Sequence, residues 1–277
     1  PKEHHTYGGY LAAYYSALAI RYLNERNIVQ SLACSDKSIA LYKAGKYYGD
    51  MNFAIIAKAN TYAKINEDAK AIDCIFLALK YFEKYREDTS DEGIATANST
   101  LASLYTKQNK YDRAIHYSKK VMAYYNSKKD STAQYDRSNA IEHSNCGTSY
   151  LRLKKYPEAM RYFEKALELA RQGGDAMTAS VVLAKMGMVR TEENKFDQAE
   201  AYFKQALAGD IGEVAKANAY IKMGDMYYRR KDFAQADHYL TSGLKISTEL
   251  MILELQEQAS DLLYKVSRAN RNFEKAL

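Results

Sequence analysis

Residues 147–170 read GTSYLRLKKYPEAMRYFEKALELA, and the order of small and large residues in this stretch decides the fold. Gly147 and Tyr150 stand in one apolar run, Ala159, Phe163 and Ala166 in the next, with Lys154-Lys155-Tyr156-Pro157 between them. Pro157 suits the first turn of a helix, where an N–H would have no intrahelical acceptor. Ala159, Phe163, Ala166, Leu167 and Ala170 recur every three to four residues, which gathers them on one helical face. Gly173-Gly174-Asp175 then ends that helix and opens another, since glycine permits a left-handed stop and aspartate caps a new start. The stretch predicts helix, turn, helix.

The same order returns as Gly187, Ala199, Phe203, Ala206 and as Gly224, Tyr227, Ala236. Ala19, Ala59 and Ala102 hold the small position in earlier copies. A glycine inside a helix costs about 1 kcal/mol relative to alanine, so its recurrence implies a closely approaching neighbour. Aligned on these positions, the chain divides into the repeats 10–45, 50–86, 91–126, 134–172, 175–208, 211–248 and 250–277. One such unit cannot bury its apolar face alone, so the units stack. The expected fold is all-α: a single right-handed superhelical solenoid over 1–277, with about seven antiparallel helix pairs and the last pair truncated. Arg86–Asp91 and Ser127–Asp136 read as longer polar connections. The abrupt start at Pro1–His5 and the stop within Asn272–Leu277 read as those of a fragment excised from a longer protein.

Composition agrees with helix. The 277 residues include two prolines, 26 tyrosines, 8 phenylalanines and no tryptophan. Tyrosines can fill gaps between helices while their hydroxyls reach water. Forty basic residues against 34 acidic leave a net charge of +6, short of the concentrated basic footprint of a nucleic-acid binder. Lys107 and Lys110, Arg152 with Lys154 and Lys155, and Arg229 with Arg230 and Lys231 fall where first helices should end, complementing the helix dipole. Cys34, Cys74 and Cys146 are too few for a disulfide framework or a zinc site and read as small buried hydrophobes, mildly favouring a reducing compartment. No apolar run reaches the length of a membrane span.

No catalytic constellation is legible, so this fragment is expected to be non-enzymatic and without cofactor or metal. His116, His143 and His238 lie one each on separate repeats, which suits surface or packing roles. Adjacent His4 and His5 do not share a helix face. Gly8-Gly9 and Gly173-Gly174 lack the strand-before, helix-after setting of a phosphate loop. Asn98-Ser99-Thr100 fits a glycosylation acceptor but falls within a predicted helix.

The Gly–Tyr, Ala-x3-Phe, Ala order resembles the tetratricopeptide repeat family, strongly over Ile141–Ser247 and more weakly in the first two units. No copy has the family's leading tryptophan, Arg190 replaces the tyrosine, and Ser31 with Ser35 replaces the Ala-x3-aromatic pair. The long spacing and tyrosine content look like two regulatory groups within that family. One is the sensor region of Bacteroidetes-type membrane histidine kinases; the other is the cytoplasmic peptide-pheromone receptors of Gram-positive bacteria. The resemblance implies a peptide- or protein-binding scaffold whose first helices line a concave groove. It implies a bacterial signalling protein whose full length includes a kinase region if the sensor likeness holds. The compartment would then be periplasmic, and otherwise cytoplasmic; a structural assembly adaptor is the further alternative. Projected onto this chain, the groove takes Asn60, Lys64, Ser103, Lys107, Ser144, Thr148, Arg152, Asn218, Asp225 and Arg229. Asn, Ser and Thr suit a peptide backbone, and the cations suit a carboxylate. Ile141, Val181, Ala184, Met188 and Ile221 are expected to make the middle of that face apolar, which leaves a homodimer open as well as a buried partner segment. Direct contact with nucleic acid or membrane is not expected.

Overall fold

The computed structural model describes residues 7–86, 90–127, 133–209 and 211–270. Thirteen α-helices run through them: α1 (Tyr7–Asn24), α2 (Ile28–Ala44), α3 (Tyr48–Lys64), α4 (Asp68–Lys84), α5 (Asp91–Lys107), α6 (Tyr111–Asn126), α7 (Ala133–Arg152), α8 (Tyr156–Gln172), α9 (Ala176–Glu192), α10 (Phe196–Ala208), α11 (Glu213–Arg230), α12 (Phe233–Glu249) and α13 (Leu253–Ala269). The described residues contain no strand, so the all-helical expectation holds. The expected connection from Ser127 to Asp136 is shorter, because Asp136 already lies in the first turn of α7. His4, His5 and Asn272–Leu277 lie outside the described residues.

Contacts divide the chain into two compact units, Pro1–Lys128 and Lys129–Leu277. In each unit consecutive helices pack as hairpins, and odd-numbered helices also touch: α1 with α3 and α3 with α5, then α7 with α9, α9 with α11 and α11 with α13. Among the described residues, no comparable contact joins even-numbered helices. First helices therefore crowd together on one side of each stack.

The hairpins turn on residues in the left-handed region: Arg26, Asn66, Asn109, Lys154, Asn194 and Lys231 between the helices of a pair, and Lys46, Met251 and Gly174 between pairs. A side chain with a Cβ is strained there, asparagine least. Met251, at φ 54° and 84% exposed, contributes nothing in return. Met251→Gly should stabilise unit 2 by about 0.5–1 kcal/mol, seen as a raised urea midpoint at unchanged slope. Asp175 caps α9 as the sequence implies, accepting from the Thr178 N–H at 3.0 Å, and Asp232 caps α12 in the same way, accepting from that of Gln235 at 3.2 Å.

The recurring glycines face the large residue sixteen positions on (147/163, 187/203, 224/240). A Cβ on Gly147 would lie 2.7 Å from the Phe163 ring, and one on Gly224 2.6 Å from Leu240. Phe163, Phe203 and Leu240 are fully buried at those contacts. In the first pair Ser35 holds the aromatic's place, and Ser31 and Ser38 hold those of the alanines on either side of it. Ser31 Oγ donates to the Ala19 carbonyl at 2.8 Å and Ser38 Oγ to that of Ala12 at 2.9 Å, so hydroxyl-to-backbone bonds replace ring packing between α1 and α2.

The tyrosines have a second periodicity. Tyr105 stacks on Tyr117 (5.5 Å, 12°), Tyr150 on Tyr162 (5.2 Å, 20°) and Tyr227 on Tyr239 (5.4 Å, 3°), each pair twelve residues apart and bridging the two helices of a repeat. Arg190, which takes the first tyrosine's place, bonds the second, Tyr202, as well as Glu193. Cys34 and Cys74 occupy the second tyrosine's place after Tyr22 and Tyr62. Such ring pairs add about 0.5–1.5 kcal/mol each beyond the area they bury.

Candidate functional site

Unit 2 contains a groove of about 770 Å³ lined by four odd-numbered helices and the segment leading into α11. One stripe from each helix reaches it, at the three- to four-residue spacing of a single face. Thr148, Leu151 and Arg152 come from α7, Met177, Val181, Lys185 and Met188 from α9, Asn218 and Lys222 from α11, and Glu254, Leu255 and Gln258 from α13. Ile211, Gly212, Glu213, Val214, Ala215 and Ile252 complete the wall. Gly212 enters α11 at φ 69°, where a Cβ would also meet the Met177 methyl at 3.1 Å. Met177 and Val214 remain 52% and 56% exposed on this wall.

Its charges are unusual for this chain. Most cations that reach a neighbouring helix find a carboxylate there. Lys107 bonds Asp68 at 2.9 Å, Arg137 bonds Asp175 at 3.1 Å, and Arg230 bonds Asp197 and Glu200 at 3.0 and 3.3 Å. The two groove lysines instead meet neutral oxygens. Lys185 Nζ donates to Ser144 Oγ at 2.8 Å, and Lys222 Nζ donates to the Gln258 amide oxygen at 3.1 Å. Burial of the ammonium end, although the Lys185 residue as a whole keeps some surface, pulls its pKa down to about 8. Burial likewise pulls Lys222 down, opposed by Asp225 and Glu254 and reinforced by Arg152 and Arg229. Arg152 is exposed and joins the groove to a smaller hollow of about 170 Å³ with Met188, Thr191, Glu192, Lys222, Asp225 and Arg229.

The residues expected from sequence divide between the units. In unit 2, Thr148, Arg152 and Asn218 line the groove, and Asp225 and Arg229 line the hollow beside it. Arg229 is engaged within the fold, 2.9 Å from Glu192 and 3.1 Å from Asp225. Ser144 is 4% exposed and meets the groove only by holding Lys185. In unit 1, Asn60, Lys64 and Ser103 are exposed on α3 and α5, while Lys107 braces α5 against the Ala63 carbonyl and Asp68.

The apolar middle of the face is partly corrected. Val181 and Met188 line the groove, but Ile221 is fully buried in the core, packed beneath Gly243. It lies one residue before Lys222, and that single step around α11 turns it inward. Lys185 and Lys222 were missed, although each stands four residues after an expected groove residue, Val181 and Asn218. Glu254 and Gln258 were missed as well, because the projection of the groove face ended at Arg229 and took nothing from the seventh repeat.

Other sequence features resolve as packing. His143 is buried, its ring edge against Tyr162 at 5.8 Å, and burial, aided by Lys165, holds its pKa near 4. Asn98 is 5% exposed and donates to the Ile94 carbonyl at 2.8 Å, so it is no surface acceptor for a glycan. Cys34 and Cys146 are buried and Cys74 half-buried, and none of the three is in a disulfide. Among the described residues, no three His, Cys, Asp or Glu side chains gather as a metal would need, and no helix is long and apolar enough to cross a membrane.

Residues 95–127 and 138–211 match the tetratricopeptide repeat family, so these stretches are tetratricopeptide repeats. Kinesin light chain-related protein 2 of Arabidopsis thaliana is 22% identical over 200 residues; the match takes in 71% of this chain but 30% of that protein's length. Among solved structures, BtubC (BKLC) from P. vanneervenii is similar at a TM-score of 0.66 and 18% identity, over 81% of this chain and 92% of its own. The Rap conjugation gene regulator of plasmid pLS20, solved in complex with the Phr* peptide, gives 0.71 at 12%, over 95% and 80%. A tetratricopeptide repeat protein from Parabacteroides merdae gives 0.65 at 14%, over 96% and 89%. At these identities the likeness establishes the fold, a tetratricopeptide-type helical solenoid.

Proposed function

We propose that the unit 2 groove is the ligand site of a non-catalytic scaffold and that it takes a segment of a peptide or protein partner. The observation that carries this reading is an open, apolar-walled groove whose two half-buried lysines form no ion pair with a carboxylate of the described residues. Solvent alone does not favour that arrangement, since desolvating an unpaired charge is costly. Thr148, Arg152, Asn218, Asp225 and Arg229 are the contact residues proposed from the expected set. Asn60, Lys64, Ser103 and Lys107 offer polar groups to the same class of ligand on unit 1.

The wider role we infer is the sensor or interaction domain of a larger bacterial signalling protein. A ligand touching α7, α9, α11 and α13 at once favours the groove spacing it fits, a population shift that a following domain can sense. The peptide-responsive regulator is the second reading, supported by likeness to a Rap protein solved with a peptide. A structural adaptor, with or without homodimer formation, is the third. The full-length reading frame separates them: a membrane span and kinase region favour the sensor, and a DNA-binding region favours the regulator.

Val214→Arg tests the groove itself, because Val214 is more than half exposed and the fold tolerates the change. Peptides selected on the wild-type chain should bind this variant at least ten-fold more weakly by fluorescence anisotropy, with thermal stability unchanged. Undiminished binding would place the ligand elsewhere.

A further inference from the structure

The groove has tiers. Along α9, Met177 and Val181 come first, Lys185 next and Met188 last, over eleven residues or about 16 Å of helix. On α11 the order is the same: Val214 at the start, Asn218, then Lys222. Lys185 and Lys222 stand at the same level, each two residues before the recurring glycine of its helix, and their ammonium groups are drawn to opposite sides of it, one to Ser144 on α7 and the other to Gln258 on α13. Apolar side chains therefore stand on both sides of a pair of cations. Resting on the groove assignment above, we propose that the bound segment presents internal Asp or Glu side chains to Lys185 and Lys222, with apolar residues before and after them.

Charge complementarity selects this occupant. Glu254 and Glu213 stand on the rim, but neither forms an ion pair with Lys185 or Lys222; Glu213 pairs with Lys216 instead. A carboxylate arriving at either lysine would give it a charge-assisted bond that Ser144 and Gln258 cannot supply. A free chain terminus fits less well, because the apolar wall continues past the cations to Met188 and Leu151. An internal residue lets the segment fill both ends.

The test is selection on the full 277-residue chain from a random dodecapeptide library displayed as a closed loop, so that no member has a free terminus. Enriched loops should carry Asp or Glu flanked by Leu, Ile, Val, Met or Phe. Changing that acid to its amide should weaken binding to the wild type by ten-fold or more, but by less than three-fold to Lys185→Met/Lys222→Met. The same ratios with Lys185→Gln/Lys222→Gln guard against a packing effect of methionine. Loops that bind through Val214 but tolerate the amide overturn the acidic-residue proposal and leave the groove assignment standing. The same holds if only linear peptides with a free carboxyl terminus bind. Failure to select any binder sensitive to Val214→Arg overturns both.

Discussion

Phe163→Ala should lower the stability of unit 2 by about 3–5 kcal/mol, the cost of deleting a fully buried aromatic ring and leaving its cavity. Phe163 is 0% exposed and fills the space left by Gly147. Gly147→Ala should also destabilise, by about 1–3 kcal/mol, although the same exchange at an open helical site stabilises by about 1 kcal/mol. The reversed sign comes from the ring of Phe163, 2.7–2.8 Å from the new Cβ, which packing on all sides prevents from retreating. Combining Gly147→Ala with Phe163→Leu should therefore cost less than the two single changes added together. Urea titrations of the four proteins in this cycle check the coupling; strict additivity would show that glycine and ring do not share one space. Gly187 offers an internal control, since its Cβ would stand 3.0–3.1 Å from Phe203 and should be better tolerated.

Lys185→Met should weaken acid-dependent binding and at the same time stabilise the fold by about 1–3 kcal/mol at pH 7. The lysine's pKa falls from 10.5 to about 8 through burial, so its charged form is disfavoured in the folded state. Below pH 8 both states are protonated and the full penalty is present. Between pH 8 and 10.5 the unfolded chain holds the proton that the folded chain has released, so wild-type stability rises with pH. That local rise should shrink in Lys185→Met, with Lys222, lowered in the same direction, leaving a smaller remainder. Thermal melts from pH 6.5 to 10 read it directly. A lysine kept for packing would give the opposite sign, a loss of stability at every pH. A residue that weakens the fold while completing a site is one that function retains.

The helices, their turns and the close approach within each pair were legible because they depend on neighbours in sequence. Pro157 and Asp175 mark helix starts within a few bonds of their own position. Gly147 and Phe163 meet because a tight turn returns the chain to its own previous helix. The twelve-residue tyrosine spacing was equally present, and it also explains why Arg190 and the two cysteines stand where they do. The candidate site was legible only in part. Projection onto first helices found Thr148, Arg152 and Asn218, but placed Ile221 on the groove face and passed over Lys222 beside it. A rotation of one residue, about 100°, separates solvent from core on a helix, and periodicity alone does not resolve it at every position.

Local order in this chain is thus written in the spacing of small, aromatic and capping residues: thirteen described helices, their stops and the fit of glycine against ring. Tertiary structure decided which cations are satisfied. Arg229, Arg230 and Lys107 look no different in sequence from Lys185 and Lys222, yet the first three meet carboxylates on neighbouring helices and the last two meet a hydroxyl and an amide. Those partners lie 30 to 44 residues away in most cases, across a helix-to-helix contact set by packing rather than by periodicity. The uncompensated charge that marks the groove therefore exists only once the repeats are stacked.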